Sequence, residues 1–339
     1  MECTRCLLTD DVVKITDGVC EFCDIHDELE KNSSSNYGLL DSVKKQKGFQ
    51  AIMGLSGGTD SCYLLHWAIQ NGVTPLVIHF DNGYNNPIAE NNMKVMVDAL
   101  NVTFIRYSLP KDEYDELNRA FIWAGVSEAD IPNDMAMTAI MADIADKYNI
   151  KYILNGHDFR SEGSTPLKWT YMDAKYVESV YTAYTGNKLK HFPAYTFLKQ
   201  IKYAMKGVKQ IRPFYSMKLT DQLKKEVLYK YGWQDYGPKH AENLYTEWVG
   251  YDYLPNNFGI DKRIVYLSAR IRSGYITKEK ARELLKEKYE ARQSFGKFGG
   301  VHRTYEDFET YNFKKYKLLL WLLAKLKLVP WLFYKKYTQ

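Results

Sequence analysis

The sequence predicts an α/β protein built on a doubly wound parallel sheet, with a small cysteine-bearing unit ahead of it and a helical extension behind. Three features predict this. Apolar, strand-like stretches alternate with helical patterns between residues 49 and 214. The first such strand and the first such helix are joined by Gly54-Leu55-Ser56-Gly57-Gly58-Thr59-Asp60-Ser61. Two Cys-x2-Cys pairs, Cys3/Cys6 and Cys20/Cys23, precede the sheet.

In chain order, the cysteine pairs come first. Residues 7–19 separate them and hold a turn at Asp17-Gly18. Knuckles at this spacing bring four thiolates together tetrahedrally, which suits a closed structural zinc site with no position left for water. Four of the five cysteines fall here, a pattern that favours metal over disulfides. Four unrelated thiols is the alternative. We read residues 1–30 as a zinc ribbon and residues 31–48, opening on Lys-Asn-Ser-Ser-Ser-Asn, as a linker.

The main domain is expected over residues 49–230. Strands are predicted at 49–55, 75–80, 102–109 and 151–154, and a fifth at 208–214; helices are predicted at 62–69, 88–100 and 135–148. The alanine- and methionine-rich helix reads as core. The first, second and fourth strands end in polar, Gly-containing turns: the Ser56–Ser61 loop, Asp81-Asn82-Gly83 and Asn155-Gly156-His157-Asp158. Ligands in such sheets sit beyond the carboxyl ends of the strands, so one nucleotide reaches all three turns.

Ser56, Gly57, Gly58, Thr59, Asp60 and Ser61 form a strand–turn–helix anion site. Glycines admit a close ligand, and amides at a helix N-terminus favour negative charge. The loop has no Gly-Lys-Ser/Thr and is therefore not a Walker loop. It resembles the pyrophosphate loop of the ATP pyrophosphatases, which implies ATP with magnesium and transfer of AMP to a substrate oxygen. NAD synthetases share this loop, and there an aspartate in the loop and a glutamate six residues beyond the glycine after the fourth strand hold the metal. Asp60 and Glu162 (six beyond Gly156) match that pattern. Asp81 stands where ribose or adenine is bound, with a turn-stabilising role as its alternative. Trp169, Tyr171 and Asp173 suit a sugar ring or base; a packed aromatic insertion explains them almost as well.

Residues 231–300 carry a dense charged set. Lys239 and His240 are candidates for catalysis, and Glu242, Asp261, Lys262 and Arg263 for substrate binding; a solvated face or helix caps is the alternative. The segments Tyr236-Gly237-Pro238-Lys239-His240-Ala241-Glu242-Asn243, Phe258-Gly259-Ile260-Asp261-Lys262-Arg263 and Ile271-Arg272-Ser273-Gly274, taken with Gly18-Val19-Cys20 and the phosphate loop, resemble the N-acetyl sugar amidotransferases of surface-polysaccharide and flagellin-sugar synthesis. The resemblance covers residues 3 to 290. It implies conversion of an acetamido to an acetamidino group on an N-acetyl sugar, nucleotide-linked or free, and ammonia from a separate glutaminase and cyclase-like pair. Pro238 departs from the small residue of that pattern.

Composition narrows the alternatives. A net charge of +5 on 339 residues is too mild and dispersed for a nucleic-acid partner. A tRNA thiolase would need further cysteines, and only Cys62 remains. A nucleotide-sensing module is the non-enzymatic alternative. With no signal peptide before Cys3, the expected compartment is the cytoplasm. The tail, residues 301–339, holds an apolar run between 313 and 337 flanked by lysines. Lys325, Lys327 and Pro330 argue against spanning a bilayer, so a helix lying at the inner face of the membrane is expected, with a buried helix or partner-docking face as the alternative.

Overall fold

The computed structural model describes residues 1–33, 37–326, 328–329, 334 and 337–338. The cysteines lie on a loop, a two-residue hairpin, Ile15–Thr16 (β1) and Val19–Cys20 (β2), and the start of helix Glu21–Lys31 (α1). The stretch expected as linker holds a further helix, Tyr37–Lys44 (α2). Its Val43 is buried in the main core, which supplies the apolar anchor that the Lys-Asn-Ser run hides. Ser34, Ser35 and Asn36 of that expected linker lie outside the described residues.

The sheet follows the predicted alternation. Its strands are Ala51–Gly54 (β3), Pro75–Asp81 (β4), Thr103–Ser108 (β5), Tyr152–Leu154 (β6) and Lys209–Ile211 (β7). They lie in the order β5-β4-β3-β6-β7 and all pair parallel. Parallel strands need crossovers, supplied by Thr59–Gln70 (α3), Pro87–Leu100 (α4), Lys111–Ala124 (α5) with Ile131–Lys147 (α6), and Ala174–Thr185 (α7) with Phe197–Met205 (α8). Residue alternation assigns the faces: Ile52, Leu76 and Ile78 pack towards Phe121, Met135 and Ile140, while Ala51, Met53 and Val77 pack towards Leu64, Leu65 and Met96. The fifth strand is shorter than expected because Pro213 opens a tight turn through Ser216. Strand order reverses between β3 and β6, which places the turns after these two strands side by side.

Beyond Asp221–Leu228 (α9), the extension is built from Leu244–Trp248 (α10), a wide π-helical turn at Val249–Tyr253, Leu254–Phe258 (α11), Arg263–Arg272 (α12) and Lys278–Lys286 (α13). It receives the cysteine unit: Leu7 packs with Leu267 and Ala281, the Leu7 amide donates to Ser268 Oγ (3.1 Å), and Lys278 Nζ donates to the Cys3 carbonyl (2.7 Å). The last element delimited among the described residues is Lys317–Lys325 (α14), whose Leu320 joins the core on the α5–α7 side.

Arg160 joins the N-terminal unit to the sheet. Its buried guanidinium makes a bidentate pair with Glu30 of α1 (2.6 and 2.7 Å) and donates to the carbonyls of Tyr215 (3.0 Å) and Met217 (2.9 Å). Removing it strands these acceptors together. Arg160→Met should lower unfolding free energy by about 3–5 kcal/mol in urea titration; a loss near zero would show that the pair is only a surface contact.

Candidate active site and metal centre

The phosphate loop turns between β3 and α3. Gly57 has φ +78°, and a Cβ there would sit 2.1 Å from the Ala89 carbonyl oxygen, so only glycine fits. The Gly57 carbonyl is held by the buried Trp233 indole (3.0 Å) and by Asn92 Nδ2 (3.2 Å). Ser56 and Ser61 hydroxyls bond at 3.1 Å across the loop. No side chain caps the N-terminus of α3, which leaves its first-turn amides available to an anion. Gly156, after β6, lies against Asp60: a Cβ there would be 3.3 Å from the Asp60 carbonyl oxygen.

Two cavities meet at this loop. The smaller, about 290 Å³, is lined by Gly58, Thr59, Asp60, Ser61, Asn155 and Gly156, and by Met137 and Met141 of α6. The larger, about 420 Å³, is lined by His79, Asn85, Asp130, Asn133, Asp134, Asn243, Thr246 and Lys262. Ser56, Met137, His157, Glu162, Lys239, His240 and Glu242 border both. The methionine stripe is therefore not all core: Met135 is buried in it, but Met137 and Met141 form a chamber wall.

Segment 239–244 reaches the site because the turn after β4 holds it. The Asn86 amide donates to the Glu242 carbonyl (3.0 Å), Asn86 Nδ2 to the Ala241 carbonyl (2.8 Å), and the Leu244 amide to the Tyr84 carbonyl (2.7 Å). Lys239 Nζ then lies 3.0 Å from Asp60 Oδ2 and 2.9 Å from Glu162 Oε1. Lys224 of α9 adds a second cation, 2.5 Å from Asp60 Oδ1.

These contacts divide the carboxylates. Burial pushes the Asp60 carboxyl up, but Lys239 and Lys224 outweigh it and hold the group well below the usual range. For Glu162 burial wins over Lys239, and its pKa is raised. Glu242 is pushed up to about 7, chiefly by burial; its Oε2 is buried with no hydrogen-bond partner among the described residues. Burial and the neighbouring Asp134 raise Asp130 to about 7 as well. His240 faces the cavities at φ +67°, and enclosure by their walls, then Lys239 and Lys262, pushes it down to about 3, so it is neutral.

Of the residues singled out in the sequence, Ser56, Gly58, Thr59, Asp60, Ser61, Gly156, Glu162, Lys239, His240, Glu242, Lys262 and Arg263 line the chambers. Others are engaged elsewhere. Asp81 pairs with Arg106 (2.9 Å) and accepts from the Gly83 amide (3.0 Å), which makes it a turn residue. Asp261 chelates Arg263, whose remaining donors close on the carbonyls ending α13. Tyr171 donates to Asp173 (2.6 Å) and stacks on Tyr305 at 4.0 Å. Asp173 caps α7 and accepts from the Tyr311 amide (3.1 Å). Trp169 packs against the cluster of Tyr245, Trp248 and Tyr253. The aromatic stretch anchors the tail and the extension instead of lining a chamber. Lys224, Asn92 and Trp233 escaped sequence reasoning because their partners lie far along the chain; His157 stood in a predicted turn without being singled out, and the acid- and Asn-rich stretch Asp130–Asp134 carried a local signal.

The four cysteine sulfurs lie within 4.8 Å of one another, with separations of 3.8 Å (Cys3–Cys23), 3.6 Å (Cys6–Cys20) and 3.5 Å (Cys20–Cys23). Four sulfurs around a tetrahedral zinc sit about 3.8 Å apart, so the set fits such an ion. A zinc tetrathiolate is anionic. Arg272 stands close enough to Cys6 to act on it electrostatically, with its buried Nε and Nη1 lacking hydrogen-bond partners among the described residues, as a counter-charge to that cluster would.

Residues 242–315 match the family model described as LPS biosynthesis protein WbpG-like, C-terminal domain. No curated protein matches the chain. Similar solved structures include NMN synthetase from Francisella tularensis (16% identity, TM-score 0.30, 40% of this chain and 56% of that one). A U34-tRNA thiolase, NcsA, from Methanococcus maripaludis with its [4Fe-4S] cluster covers 89% and 94% (13% identity, TM-score 0.36). NH3-dependent NAD synthetase from Campylobacter jejuni covers 63% and 98% (14% identity, TM-score 0.31).

Two outcomes follow from this geometry. Freshly purified protein should carry one zinc per chain by elemental analysis, and Cys20→Ser should lose it. Glu242 binds its proton more tightly when folded, between an unfolded value near 4.5 and about 7. Its burial therefore destabilises the fold increasingly as pH rises through that window. Glu242→Gln should be more stable than the wild type above pH 7, by about 1–3 kcal/mol, with the difference fading towards pH 4.5; a gap that grows on acidification would show the reverse shift.

Proposed function

We propose that the chain is an ATP-dependent amidotransferase that converts the acetamido group of an N-acetyl sugar, nucleotide-linked, to an acetamidino group in surface-glycan synthesis. The observation that carries this reading is the meeting of two chambers at one charged border. One chamber has the glycine-bearing Ser56–Ser61 loop and an uncapped helix N-terminus; the other has the polar side chains of Asn243, Thr246 and Lys262, from the segment that matches the LPS-biosynthesis model.

In this reading ATP lies in the smaller chamber, its phosphates on Ser56–Ser61 and its base against Met137 and Met141. Asp60 and Glu162 are the carboxylates that would hold magnesium, which when bound offsets charge developing on pyrophosphate. Lys239 places a further positive charge at the chamber border, and the buried Lys224 keeps Asp60 ionised from behind. The sugar occupies the larger chamber, where Asn243, Thr246 and Lys262 supply polar contacts. Its acetamido oxygen attacks the α-phosphorus at the border and pyrophosphate leaves. Ammonia then adds to the imidate carbon, AMP departs with the former amide oxygen, and one proton is released. Glu242, near neutrality and open to both chambers, is placed to take that proton. Neutral His240 can accept a hydrogen bond from the entering ammonia. We infer that the ammonia comes from a separate glutaminase and cyclase-like partner pair.

Cys62 counsels against thiolation: it is fully buried, and burial pushes its thiol up, away from the thiolate that persulfide chemistry needs.

The test is mass spectrometry of candidate N-acetyl sugars incubated with ATP, magnesium and high ammonium. Replacement of oxygen by NH, with AMP and pyrophosphate as co-products, is the expected result. ADP and phosphate would exclude the reaction, and no turnover with any sugar would favour a nucleotide-sensing module. Asp60→Asn should lower AMP formation roughly a hundredfold or more. Because it also leaves the buried Lys224 without its nearest carboxylate, a lowered melting temperature is expected, and activity is compared where the variant is still folded by circular dichroism.

A further inference from the structure

The tail presents an apolar face that the core does not use. In α14, Leu320 and Ala324 turn inward and are buried. The opposite side exposes Leu318 (79%), Leu322 (48%) and Leu326 (59%) in one i, i+4 row, with Leu319 and Trp321 beside it. Five large apolar groups within nine residues exceed the scattered exposure that a water-facing helix shows. The charge beside them along the chain is of one sign. Glu309 is the last acidic residue of the chain, and Lys314, Lys315 and Lys317 are exposed immediately before the row. Lys325 lies over the Trp321 ring at 5.6 Å, its ammonium at the edge of the apolar face. Among the described residues no helix is long and apolar enough to cross a membrane. Lys327, Pro330, Trp331, Leu332, Phe333, Lys335 and Lys336, part of the same predicted run, lie outside the described residues.

We propose that α14 docks the protein on an anionic lipid surface, with Leu318, Trp321, Leu322 and Leu326 entering the headgroup–acyl boundary and the lysines on lipid phosphates. Leucine and tryptophan at that depth remove apolar area from water, and the tryptophan ring favours the headgroup level. Each lysine near such a surface adds attraction that salt weakens. A second protein could bury the same leucines, but it would have to match the exposed Lys314, Lys315, Lys317 and Lys325, which no acidic residue follows or interrupts in sequence. A phosphate-rich lipid surface does so without further specificity.

The structure also selects the experiment. Truncating the tail would remove Leu320 and Tyr305 and uncover the core and the Tyr171 ring they pack on, so a truncation confuses docking with unfolding. Charged substitution of the exposed row does not. The full chain is floated with vesicles of phosphatidylcholine alone and of phosphatidylcholine with phosphatidylglycerol. Flotation is expected only with the anionic vesicles, weakening as salt is raised. Leu318→Glu with Leu322→Glu should weaken binding on the order of tenfold or more per leucine. Lys314→Glu, Lys315→Glu and Lys317→Glu together should abolish the preference for anionic lipid, with melting temperature and AMP formation unchanged in both variants. The proposal is overturned if the wild type stays with the soluble fraction, if the leucine variant floats equally well, or if neutral and anionic vesicles bind alike. Self-association that depends on Leu318 and Leu322 without flotation would overturn it in favour of a protein interface.

Discussion

One ammonium fixes the site. Lys239 Nζ stands within 3.0 Å of a carboxylate from the phosphate loop and within 2.9 Å of one from the turn after β6, so three segments distant in sequence meet at one charge. Two carboxylates enclosed this closely would repel each other, and one would keep its proton, if nothing stood between them. With Lys239 and Lys224 in place, Asp60 stays ionised at the mouth of an uncapped helix. That arrangement requires β3 and β6 to be neighbours, which only the reversal of strand order provides. Fold and charge are thus two descriptions of the same constraint.

The cysteine unit serves this constraint from outside. It touches neither chamber, yet it is pinned to α12 through Leu7 and Ser268 and to α13 through Lys278. Lys262 and Arg263, at the start of α12, are walls of the larger chamber. A metal held by the four thiolates would therefore set where one wall of that chamber stands, by packing rather than by chemistry. Arg160, reaching from the turn after β6 to Glu30, closes the same loop from the opposite side.

Much of this was legible in the sequence, for identifiable reasons. The strands β3 and β4 are buried on both faces, so their apolar runs are unbroken, and the loop between β3 and α3 demands glycine where φ is positive. The four-cysteine spacing is set by the tetrahedron itself. What failed to show was whatever depends on distant partners. Lys224 is an unremarked lysine in a charged helix until α9 folds beside Asp60. Tyr171 and Asp173 look like ligand residues because an aromatic ring with a carboxylate is what a sugar site needs; the same pair serves equally well to cap α7 and stack on Tyr305. Asp81 closes a turn that Arg106 neutralises. Residue type was read correctly in each case, and the partner decided the role.

The border between the chambers shows how environment, not residue identity, distributes protonation. Asp60 and Glu242 are both carboxylic acids lining the smaller cavity, but Asp60 has two ammonium partners and Glu242 has an unpaired buried oxygen. The first remains an anion at any physiological pH; the second titrates near neutrality. His240, ordinarily the group that titrates there, is held neutral by enclosure and by Lys239 and Lys262. The proposed reaction, which would offset phosphate charge with fixed cations and still move a proton as nitrogen replaces oxygen, calls for this separation of duties. If Glu242 had its own lysine, it would be a permanent anion beside the loop after β3 and would oppose the proposed ATP. If Asp60 lacked one, it would protonate and leave Lys239 without the partner that aims it. The lysine placed on Asp60 and Glu162, and withheld from Glu242, is what would let one small border serve, in the proposed reaction, as both a phosphate site and a proton acceptor.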